Sequence, residues 1–76
     1  MVNDIIVNFI SIIEAIKVRR ASLNITQEGL SDLSGVALGA LKRFESGKGN
    51  PTLSTLKKLS DALGLEITLG VKNINP

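Results

Sequence analysis

The side chains of this 76-residue chain best equipped for chemistry are hydrogen-bond donors: Lys42 beside Arg43, then Lys48 and Asn50 in a glycine-bearing loop, with Gln27 upstream. Ammonium, guanidinium and amide groups are what phosphate oxygens and guanine edges accept from, arginine in a two-pronged geometry that lysine lacks. Acid-base and metal chemistry has much less to draw on. There is no histidine and no cysteine, which removes the commonest general base, the thiolate ligands of zinc sites, and disulfides. Asp32, Glu45, Asp61 and Glu66 are scattered along the chain and read as solvated or structural charges. An enzyme is the weakest reading, and no cofactor or metal is implied.

A net charge of +2 says little by itself, but its distribution says more. Residues 1–16 hold two acidic and no basic side chains, 17–48 hold six basic and three acidic, and 49–76 hold three basic and two acidic. The positive excess therefore surrounds the candidate donors. The start of the chain lacks the basic region of a signal peptide, and Asn8, Ser11 and Glu14 interrupt its apolar run, so a cytoplasmic location and no membrane partner are expected.

Donors of this kind need rigid elements to aim them. Between Thr26 and Lys48 the sequence predicts two short amphipathic helices, with Leu30 and Leu33 on one face of the first and Leu41 and Phe44 on one face of the second. Thr26 is a good N-cap, and Gly35 suits the tight turn at Ser34-Gly35-Val36. The pair is a helix-turn-helix. If Val36, Leu41 (or Ala40) and Phe44 face inward, Ala37, Leu38, Lys42 and Arg43 face outward on the helix Ala37–Ser46. Such a helix lies in the major groove. Lys42 and Arg43 would reach guanine edges or phosphates, Ala37 and Leu38 a thymine methyl, and Gln27 a phosphate.

The remaining elements complete a small domain, all-α but for one C-terminal strand. A first helix capped by Asn3 or Asp4 runs to about Ser22, with Ile6, Ile10 (or Phe9), Ile13, Ile16 and Arg20 on one stripe. Ile5, Val7, Ile12 and Val18 fall off that stripe, which reads either as a dimer or partner surface or as a broader core face. Asn24 suits a helix C-cap, Leu23 and Ile25 should plug the core, and Gly29 should sit on an exposed face. Thr52 caps a further helix with Leu53, Leu56, Leu59 and Leu63 on one face, and Gly64 stops it.

From Leu65 to Val71 the period changes to two, a single strand in which Leu65, Ile67, Leu69 and Val71 point one way. Its backbone needs a partner, and a two-fold mate pairing strands antiparallel is the nearest; a strand lying on its own domain, or a frayed tail, is the alternative. Residues 1–72 would then be one domain, with 73–76 a disordered tail.

At these residues a resemblance is visible. Thr26-Gln27-x-x-Leu30-Ser31, Ser34-Gly35-Val36, Phe44-Glu45-x-Gly47-Lys48 and Gly49-Asn50-Pro51-Thr52-Leu53 resemble the Cro and phage-repressor (XRE) type of helix-turn-helix family. The likeness covers about Ile16 to Lys72, and the Glu66-Ile67-Thr68-Leu69 segment is similar to HipB-like antitoxins in particular. The resemblance implies a lambda-repressor-like domain of four or five helices and a homodimer that represses from palindromic operators on double-stranded DNA. It also implies an ion pair between Arg20 and Glu45 and, on the antitoxin branch, a kinase-like toxin as partner. One departure stands out: family members usually carry polar residues where this chain has Ala37, Leu38 and Gly39. That leaves specificity to Lys42, Arg43 and DNA shape, or makes the chain a protein-interaction module with weak base readout.

Overall fold

The computed structural model describes residues 9–68. Among these, four helices follow one another: α1 (Phe9–Ser22), α2 (Gln27–Ser34), α3 (Leu38–Glu45) and α4 (Leu53–Ala62). The described residues are all-α, as the helical periodicity predicts. The expected Asn3 or Asp4 cap, Ile5, Ile6 and Val7 lie outside the described residues, as do the side chains of Phe9 and Ile10. Residues 65–68 form no strand within the chain, and the rest of the expected 65–71 strand and the 73–76 tail also lie outside.

Local chemistry sets the helix ends. The Thr26 hydroxyl accepts the Gly29 N–H at 2.9 Å and the Thr52 hydroxyl that of Thr55 at 3.1 Å, each satisfying a donor that the first turn leaves unpaired. Gly35 takes the left-handed conformation, φ 77°, and its N–H closes α2 on the Ser31 carbonyl. Asn24 does the same after α1 at φ 56°, a conformation asparagine tolerates better than most residues. Two serines then brace the turn between α2 and α3: Ser31 Oγ donates to the Val36 carbonyl at 2.6 Å, and Ser34 Oγ accepts the Val36 N–H at 3.1 Å.

The core is aliphatic around one ring. Ile13, Ile16, Leu30, Val36, Leu41, Phe44, Leu59 and Leu63 are buried, with Ile12, Ile25, Leu56, Ala62 and Leu65 packed at its edge. α2 packs on α3 and on α4, and α1 on α3. Truncating one of the fully buried leucines would cost about 2–5 kcal/mol.

Several expectations need correction. Leu33 does not share the inward face with Leu30: it is 64% exposed while Leu30 is fully buried. At about 100° per residue, the inward sector of α2 runs from Leu30 through Ser34 to Gln27, and Leu33 lies on the other side of Leu30. On α4 burial fades toward the N-terminus, from Leu59 through half-buried Leu56 to Leu53 at 68% exposed. Leu23 is exposed in the turn after α1, leaving Ile25 as the plug. Gly29 is half-buried, and a Cβ there would stand 3.2 Å from Thr26 Oγ1 and 3.3 Å from Ile25 Cγ2. It is small because the cap and Ile25 close over it. Ile12, expected off the core stripe, packs at the core edge, whereas Val18 is exposed as expected.

Candidate nucleic-acid interface

Three helices meet at one carboxylate. Glu45, at the end of α3, is buried, and Arg20 of α1 grips it bidentately, Nε to Oε2 at 2.7 Å and Nη2 to Oε1 at 2.8 Å. The third guanidinium nitrogen, Nη1, donates to the Ile25 carbonyl at 2.8 Å. Gln27, the first residue of α2, donates Nε2 to Glu45 Oε1 at 3.0 Å. Burial pushes the Glu45 carboxyl up, but hydrogen bonds from Arg20 and Gln27, with the charges of Arg20 and Lys17, outweigh it and hold the group below the usual carboxylate range. Hydrogen bonding to Glu45 in turn raises Arg20 above its ordinary value, against the cost of its own burial. The network fixes the direction of α3 relative to the two helices before it.

Gln27 was expected to donate to a phosphate, and its amide is instead engaged with Glu45. A primary amide carries a second hydrogen, so the side chain keeps one donor.

Outside this network, α3 leaves Ala37, Lys42 and Arg43 exposed, but Leu38, expected to face outward with them, is half-buried because it lies about 60° round the helix from buried Leu41. Val36, Leu41 and Phe44 are buried, and Ala40 is exposed, so Leu41 is the inward residue of the pair considered. Ala37 is the N-cap of α3. Arg43, Lys48 and Asn50 line one open groove between α3 and the start of α4, floored by Phe44 and Pro51. The loop is tied to the end of the helix through the Arg43 carbonyl, which accepts the Lys48 N–H at 2.9 Å and the Ser46 hydroxyl at 2.9 Å, and through the Phe44 carbonyl, which accepts the Gly47 N–H at 3.1 Å. Gly49, at φ 83°, lies under the Arg43 guanidinium, with Nε and Nη2 both 3.5 Å from where a Cβ would stand. Arg43 therefore leans along the loop, while Lys42 stands apart from that groove.

At the other end of the domain, the proposed dimerising residues are only partly described. Leu65 is half-buried against the core, Ile67 is 43% exposed, and Leu69 and Val71 lie outside the described residues. Arg19 donates Nε to the Leu63 carbonyl at 2.9 Å, closing the C-terminus of α4. Lys57 is exposed and pairs with Asp61 at 3.0 Å, and Lys58 is exposed beside it. No group of residues suited to a metal ion occurs among the described residues, and none of their helices is long and apolar enough to cross a membrane.

Two helices joined at a left-handed glycine, with the second held proud by a buried ion pair, define a helix-turn-helix domain. Residues 16–69 match the sequence pattern of a helix-turn-helix family. The chain belongs to that family, in its Cro and phage-repressor (XRE) type. Over 49 residues, 64% of this chain, it is 41% identical to the cryptic phage CTXphi transcriptional repressor RstR of Vibrio cholerae, and that stretch covers 44% of the repressor. The chain thus spans less than half of that relative's length. It is also 39% identical over 67 residues to an uncharacterized HTH-type transcriptional regulator of Haemophilus influenzae, a match covering 84% of this chain and 68% of the relative.

Proposed function

We propose that the chain is a transcriptional repressor that binds double-stranded DNA as a homodimer, each protomer laying α3 in the major groove of one half of a palindromic operator. The observation that carries this reading is the combination of an exposed outer face on α3, bearing Lys42 and Arg43, with the Arg20, Glu45 and Gln27 network that holds the helix. Gln27's spare hydrogen, Lys48 and Asn50 serve the phosphates beside it, and Ala37 and Leu38 supply apolar contact. Leu65, Ile67, Leu69 and Val71 supply the dimer contact, and a two-fold pair would present its reading helices about 34 Å apart.

The test is an electrophoretic shift with an operator recovered from a random pool. Lys42→Ala with Arg43→Ala should abolish the shift while leaving the helical circular dichroism and unfolding midpoint in place; retained affinity overturns the assignment. Similarity to a phage repressor favours repression of a phage-type operon over the antitoxin role. Co-purification of a larger, kinase-like protein would reverse that preference, and a pool that enriched no motif would favour a protein-interaction module.

A further inference from the structure

Gly39 is the described glycine that the protein itself does not explain. Gly35, Gly47, Gly49 and Gly64 have positive φ, and Gly29 is crowded by Thr26 and Ile25. Gly39 is helical and exposed, and a Cβ built on it would meet nothing within 4 Å. Two residues from buried Leu41, it lies about 200° round the helix and so faces directly away from the core. Alanine would fit there and favour the helix. A glycine at such a place gives up helix stability with no gain inside the molecule, and the remaining use of a missing Cβ is to let something outside come close to the backbone.

What comes close is defined by the neighbours. Ala37 and Ala40 are exposed and short, so the start of α3 offers methyl groups and no side-chain donor. Lys42, three residues on from Gly39, is the exposed cation clear of the loop, whereas the Arg43 guanidinium rests on Gly49 beside Lys48 and Asn50. The one apolar group that a base pair shows in the major groove is the thymine methyl, and a lysine there meets guanine O6 and N7. We propose that α3 reads its operator by close backbone approach at Gly39, selecting thymine through its methyl group, with Lys42 on an adjoining guanine and Arg43 confined to phosphate. This rests on the DNA-binding reading above and names what that surface selects.

The experiment uses the full chain and a duplex selected by it from a random pool, with a second duplex carrying deoxyuridine at each enriched thymine. Uracil keeps the hydrogen-bonding edge and lacks only the methyl. Gly39→Ala should raise the thermal midpoint yet weaken binding to the selected duplex by about tenfold or more, and the uracil duplex should bind the unaltered protein several-fold more weakly, on the scale of a mismatched base pair. Unchanged affinity in either arm overturns the inference while leaving DNA binding standing. A pool that enriches nothing overturns the DNA-binding reading, and this inference with it.

Discussion

The residue on which the most geometry depends is Glu45. A carboxylate this deeply buried is tolerable because a bidentate guanidinium and an amide satisfy it, and removing the guanidinium would strand its charge. Arg20→Ala should therefore cost about 3 kcal/mol, the lower end of the range for a broken buried pair, since 19% of the Arg20 side chain remains exposed. A chain of this length has a total of about 4–11 kcal/mol, so a urea melt should show a large fall in midpoint. The pH dependence follows from the same network. Because the folded carboxyl titrates below its unfolded value, the unfolded chain takes up the proton first as pH falls. The stabilisation is complete above the unfolded value of about 4.3 and is lost as pH drops through the folded one. Urea midpoints between neutral pH and pH 3 should fall more steeply for the unaltered protein than for Glu45→Gln, which has no such proton to bind; parallel curves would refute the coupling.

Among the elements, the turn between α2 and α3 sets how the second helix is offered. Nothing lies within 4 Å of a Cβ at Gly35, so Gly35→Ala tests conformation alone. At φ 77° it should cost about 1–2 kcal/mol, the penalty for a left-handed L-residue, read as a lower denaturation midpoint with an unchanged helical spectrum. Thr26→Ala should cost about 1 kcal/mol through the lost cap. These signals were legible in the sequence because caps and left-handed stops depend on one or two residue types at fixed offsets. Which leucines are buried was less legible. Leu30, Leu41, Leu59 and Leu63 are inside as the spacing predicts, but Leu33 and Leu53 satisfy the same spacing and are exposed. In helices of eight to ten residues, a stripe of apolar positions defines a sector, not its centre, and the centre is set by neighbours distant in sequence. Gln27 illustrates the same point at the site: an exposed donor and a buried one are identical in sequence, and only the approach of Glu45 from α3 distinguishes them.

For the whole molecule, the charge distribution and the proposed two-fold pairing together set how affinity should depend on salt. Six of the nine basic side chains fall within residues 17–48, yet Arg20 is spent on Glu45 and Arg19 on the Leu63 carbonyl, so few remain for a duplex. If Arg43 and Lys48 each neutralise one phosphate, a two-fold dimer neutralises four, and the logarithm of the binding constant should fall against the logarithm of salt concentration with a slope of about −3.6. Lys48→Ala removes two of those contacts per dimer, so its slope should shrink by about 1.8 while the base preference recovered from a random pool stays the same. Lys42→Ala should do the reverse, changing the slope little and relaxing the preference at one position of each half-site. The doubling in this arithmetic comes from the proposed second protomer. Ile67→Asp, at an exposed position beyond α4, should shift sedimentation toward the mass of one chain and halve the salt slope with the fold intact. A single-chain mass for the unaltered protein at the concentration where the operator is saturated would remove the factor of two, and the two-fold operator with it.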